Sequence, residues 1–144
     1  MGGALLVLAG LLGMAVALFH IVAAFSPVLQ RQFGAPERLL AAGPIVMGAA
    51  SLLLAAVFAA WGLYGLSGAG WLARLPLLAP CLIGIGAVYA LRGVLLAPQL
   101  LAAAGRVRGD IPTDRLSLLS SAVSLTIGLL YLAGTAAAWS YVTA

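Results

Sequence analysis

Almost all of the charge of this 144-residue chain sits in two short stretches, and between and beside them lie runs almost free of charge that are long enough to cross a bilayer. Between residues 1 and 30 the only ionisable side chain is His20. Residues 39–73 carry no charged side chain, and neither do residues 116–144. Charged residues make up 7% of the chain against 65% hydrophobic, which leaves too little polar surface to clothe a water-soluble domain. Lipid is therefore the expected solvent.

A membrane span needs about 20 mostly apolar residues. Four such segments are present, at roughly residues 4–25, 43–66, 71–97 and 114–141, and they occupy nearly the whole chain. Backbone polar groups in hydrocarbon must be satisfied within the segment, so spans rich in Ala and Leu are predicted to be helices. No alternation of apolar and polar residues supports a barrel. The predicted fold class is all-α: one integral-membrane four-helix bundle with short loops and no separate soluble domain. The start, Met1-Gly2-Gly3-Ala4, lacks a basic n-region, and Leu6 occupies the place where myristoylation wants Ser or Thr. The first apolar run is thus expected to be a retained helix.

The net charge of +4 comes from arginine alone. Arg31 and Arg38 fall between spans one and two, and Arg106, Arg108 and Arg115 around the loop between spans three and four. Four spans put those loops on one face, which the positive-inside rule makes cytoplasmic. Both termini then lie outside, in the periplasm if the membrane is a bacterial inner one. Trp61, Tyr64, Trp71, Trp139 and Tyr141 are expected at the opposite interface, where amphipathic rings favour headgroup depth. This arginine pattern serves topology, and no nucleic-acid partner is expected.

Proline and glycine set the predicted boundaries. Pro27 ends span one and Pro98 ends span three, each disfavouring helix in the residue before it. Pro36 opens an early turn of span two, which would make Pro44 a kink. Thr113 is the expected N-cap of span four, and Gly68 and Gly70 suit a tight turn. Residues 28–34 mix apolar and polar groups and read as an interfacial segment.

Helices in lipid associate through small residues at their seams. The expected stripes are Ala9, Gly13, Ala17 and Ala24; Gly48, Ser51, Ala55, Ala59 and Gly62; Ala79, Gly86, Ala90, Gly93 and Ala97; and Ser117, Ser121, Ser124, Gly128, Thr135 and Ala138.

Two ionisable side chains fall inside the spans, His20 and Arg92. Each lies about five residues from the Arg-rich end, on the order of 8 Å at helical rise. Ser51, Tyr89, Ser120, Ser121 and Ser124 fall at similar depth, so that third of the bundle is predicted to hold a polar, ligand-binding cluster. His20 shares the stripe of Gly13, Ala17 and Ala24 and should face other helices. Its structural alternative is a neutral imidazole that bonds a serine of span four and fixes register. Arg92 aligns with Cys81, Ile85 and Gln99, away from the small-residue stripe. There it either snorkels to the headgroups or binds an anionic group such as a lipid phosphate, a carboxylate, Glu37 or Asp114.

No acidic residue lies deep in a span, which argues against ion-coupled transport built on a buried carboxylate. One histidine and the lone Cys81 supply neither a metal site nor a disulfide within the chain. No catalytic motif, cofactor or metal is indicated. The sequence reads best as a non-enzymatic accessory, assembly or ligand-binding bundle, with membrane lipids and a homodimer or membrane-protein mate as its partners. The alternatives are an oligomeric transporter or channel for an anionic or neutral solute, and a lipid-modifying enzyme using His20.

Overall fold

The computed structural model describes residues 1–32, 38 and 41–144, and every described regular element is helical. The elements are α1 (Gly2–Ala24), α2 (Pro27–Gln32), α3 (Pro44–Gly68), α4 (Leu78–Val94), α5 (Leu96–Ala103), α6 (Arg115–Ala137) and α7 (Trp139–Thr143). Four helical runs are long and apolar enough to cross a membrane: α1, α3, the Leu78–Ala103 pair α4–α5, and α6. This is the all-α multi-pass bundle that the uncharged runs demand. Its surface is apolar too, with Ile45, Leu53 and Leu91 among many exposed aliphatic side chains. Such a surface is solvated by acyl chains and not by water.

α1 packs most extensively on α3, and α4 on α6; α1 against α6 and α3 against α4 close the ring. The chain termini and the loop at residues 69–77 gather at one end. There an added Cβ on Gly2 would meet Ala138, and one on Gly3 would approach Ala69 O. The opposite end holds the C-terminus of α1, the start of α3 and the Arg-bearing loop before α6.

Local chemistry explains the boundaries. α1 stops at Ala24, and Ser26 with Pro27 in the first helical position starts α2, whose Leu29 N–H donates to Ser26 Oγ at 3.4 Å. The buried Gln30 folds back, its Nε2 donating to Ala23 O at 2.9 Å and satisfying a carbonyl of the last turn of α1. Pro44 takes the first turn of α3 instead of kinking it. Pro36 and Glu37 lie outside the described residues.

The third span differs from expectation. Helix begins at Leu78, not near Trp71, because Pro76 and Pro80 would both sit inside a helix started at Trp71. Starting at Leu78 puts Pro80 in the first turn, where its missing N–H costs nothing. Residues 69–77 are instead an ordered loop. Ser67 Oγ donates to Ala73 O (2.9 Å) and accepts from Leu75 N (3.0 Å), and Tyr64 Oη donates to Pro76 O (3.1 Å). Arg74 Nη2 donates to Val142 O at 2.8 Å, a cation on the carbonyl end of α7. Nor does Pro98 end the span. It breaks it four residues upstream at Val94, whose carbonyl the proline ring cannot bond, and helix resumes as α5.

Gly70 (φ 80°) and Gly105 (φ 69°) close α3 and α5 in left-handed turns, with Trp71 N–H bonded to Leu66 O and Arg106 N–H to Leu101 O. The N-cap of α6 is Asp114, one residue past the expected Thr113. Its Oδ1 accepts from Leu116 N (3.1 Å) and Ser117 N (3.0 Å), satisfying two of the free donors of the first turn. The hydrogen bonds from the Ser117 hydroxyl and backbone hold the Asp114 carboxyl below its ordinary range.

Candidate functional site

The two halves of the bundle pack differently. Toward the end that holds the termini, Leu6, Leu82, Ile127, Tyr131 and Val142 are wholly or almost wholly buried and form a dense core. Toward the Arg-rich end, the four helices part around a cavity of about 560 Å³. Every long run contributes to it: Val16, Phe19 and His20 from α1; Leu54, Phe58 and Trp61 from α3; Val88, Tyr89 and Arg92 from α4; and Leu119, Ser120, Val123, Ser124 and Ile127 from α6. The wall is largely apolar. Leu54, Val88 and Leu119 are themselves exposed, so the cavity is not sealed from the surroundings.

Aromatic rings form its inner wall. Phe58 lies 4.9 Å from the His20 ring, 5.4 Å from Trp61 and 6.0 Å from Tyr89, and Trp61 meets Tyr89 at 5.3 Å. Tyr89 in turn stacks on Tyr131, which anchors the next layer by donating its hydroxyl to Trp61 O at 2.7 Å. The Tyr89 hydroxyl is buried with no hydrogen-bond partner among the described residues.

His20 and Arg92 both reach this cavity. His20 Nδ1 lies 2.9 Å from Val16 O, one turn back on its own helix. That carbonyl requires a proton on Nδ1, so in the neutral ring Nε2 is an acceptor. The imidazole thus bonds its own backbone and not a serine of α6. Arg92 turns inward: its face of the helix, shared with Ile85, Tyr89 and Gln99, is buried, although the residue itself retains exposure. Nη1 donates to Ser121 Oγ at 2.9 Å and Nη2 to Ser120 Oγ at 3.3 Å. The apolar run continues to Ala103, so Arg92 lies near its middle in sequence, and its partners Ser120 and Ser121 lie in the second turn of α6.

Of the seven residues expected to cluster, His20, Tyr89, Arg92, Ser120 and Ser124 line the cavity. Ser121 is behind it, holding the guanidinium. Ser51 is buried in α3 but does not line the cavity. Sequence reasoning missed the aromatic wall. Trp61 was expected at the interface from its nearness to the loop, whereas it points into the bundle; Trp71, Trp139 and Tyr141 are exposed at the end of the bundle that holds the termini. Phe58, one helical turn before Trp61, shares its face, but an aromatic pair in an apolar span suits lipid as well as a core, so the sequence carried no signal that this face is internal. No group of acidic, histidine or cysteine side chains among the described residues could hold a metal ion. The chain matches no protein-family model, no curated protein and no solved structure.

Proposed function

We propose that this small multi-pass membrane protein is a non-enzymatic binder whose cavity holds the body of a membrane-soluble small molecule. The observation that carries the reading is the convergence of all four apolar runs on one largely apolar cavity. Its volume lies within the range of roughly 300–1,000 Å³ found for small-molecule sites, and a few polar groups at one end give orientation. Helices that only needed to associate would close this space, as they do in the other half of the molecule. An enzymatic reading would need a base, acid or metal beside His20, and the described residues that line the cavity include no carboxylate or thiol.

The direct test uses Trp61 as a reporter. In a Trp71→Phe, Trp139→Phe variant reconstituted in lipid nanodiscs, ω-bromododecanol is expected to quench Trp61 saturably. Ser124→Phe, which fills the cavity, should abolish the saturable component. Linear quenching that is indifferent to Ser124→Phe would mean that the chain has no such site.

We further propose that the protein resides in a bacterial inner membrane with its termini in the periplasm. The arginines at 31, 106, 108 and 115 then face the cytoplasm, as the positive-inside rule requires. A C-terminal alkaline phosphatase fusion is expected to be active and a C-terminal green fluorescent protein fusion dark. The reverse pattern would invert the orientation.

A further inference from the structure

Among the described residues that line the cavity, Arg92 alone carries a formal charge, and its partners Ser120 and Ser121 are both neutral. Two of the five guanidinium N–H groups go to Ser121 and Ser120, and no acidic side chain among the described residues pairs with it. Arg92 is itself exposed, and a cation at an opening lined by Phe58, Trp61 and Val123 and surrounded by hydrocarbon is costly unless a counter-charge completes it. The serines cannot neutralise the guanidinium. They can fix the plane of the fork and leave three donors for another group. A planar fork held in this way is suited to bidentate recognition of an oxyanion.

The size of the cavity sets how much of a ligand it can hold. At about 30 Å³ per heavy atom, the share of a water in the liquid, 560 Å³ accommodates on the order of 15–20 heavy atoms. That is one acyl chain with its head group, and far less than a two-chain phospholipid. The exposed wall residues Leu54, Val88 and Leu119 give such a chain access from the surrounding hydrocarbon.

Resting on the cavity reading above, we infer that the ligand is a single-chain amphiphile with an oxyanion head group. Its head lies against Arg92, and its chain runs along the aromatic wall toward Trp61. His20 adds an acceptor at the same end but no fixed charge in its neutral form, so the preference for an anion rests on Arg92.

A matched pair of probes tests this. ω-Bromododecanoate and ω-bromododecanol share a chain and a quencher and differ in the head group. Trp61 quenching is measured in the Trp71→Phe, Trp139→Phe protein at equal membrane concentrations of probe, at about pH 9 so that the acid is ionised. The acid is expected to bind at least about tenfold more tightly than the alcohol. Arg92→Gln should remove that difference, so that the acid and the alcohol bind alike in the variant. Equal binding of the two probes to the protein with Arg92 in place would overturn the oxyanion inference and leave the cavity reading standing. Saturable quenching by neither probe would overturn both. The comparison does not depend on the variant folding, because the protein that retains Arg92 supplies the decisive ratio.

Discussion

Gly128→Leu is expected to abolish the folded bundle, seen as loss of the cooperative thermal transition in detergent. A Cβ on Gly128 would stand 2.5 Å from Ala90 N and 2.9 Å from Gly86 O, atoms of the α4 backbone that no side-chain rotation can move. Across the same seam, a Cβ on Gly93 would run into the Leu125 backbone. The two helices approach at the distance of their main chains, so any added atom must push the axes apart. Even Gly128→Ala should destabilise by about 1–3 kcal/mol, the usual cost of overpacking. Gly84 supplies the control. It lies on α4 with nothing within 4 Å of its Cβ position. Gly84→Ala should therefore stabilise by roughly 0.5–1 kcal/mol through helix propensity alone. The two alanine variants are thus expected to move the midpoint in opposite directions. A Gly128→Leu protein that melts like the parent would show that α4 and α6 do not meet at this seam.

Tyr131→Ala is expected to cost about 3–5 kcal/mol, the range for removing a large buried ring. Tyr131 is wholly buried and stacks on Tyr89, and its hydroxyl reaches across to α3. That hydroxyl fits because Gly65 lacks a side chain: a Cβ there would stand 3.0 Å from it. Tyr131→Phe keeps the ring and loses only the bond to Trp61 O. An interhelical hydrogen bond in lipid is worth about 0.6 kcal/mol on average, so this variant should be nearly as stable as the parent. Unfolding titrations of both variants, with near-ultraviolet dichroism to report the aromatic layer, separate packing from hydrogen bonding. If Tyr131→Phe proved as damaging as Tyr131→Ala, the hydroxyl, and not the ring, would hold the layer.

These two residues also show how unevenly the structure could be read from sequence. Gly128 was legible, since it belongs to a stripe of small residues at helical spacing, as do Gly13, Gly62, Gly86 and Gly93, all buried at seams. Gly65 and Gly134 have the same role and were not singled out, because the phase of a stripe in an Ala-rich helix is poorly marked. Tyr131 gave no signal, as a lone tyrosine in an apolar run is equally suited to lipid and to a core. Arg92 was ambiguous for a related reason. Its alignment with Cys81, Ile85 and Gln99 identifies a face, and only the neighbouring serines of α6 show that the face is internal.

The amino-acid sequence alone determined the solvent, the number and approximate placement of the long helices, and most of the small-residue seams. Those properties follow from hydropathy and from the backbone's need to satisfy its own hydrogen bonds in hydrocarbon, both of which are summed along the chain. The late start of α4 and the break at Val94 also follow from local chemistry, that of Pro76, Pro80 and Pro98. Tertiary structure decided the rest: the inward turn of Trp61, the pairing of Arg92 with the serines of α6, and the cavity itself. A cavity is a difference between the volumes of four helices and the space they enclose. It depends on rotations about each helix axis that are fixed only when glycines such as Gly10 and Gly62 meet across the bundle.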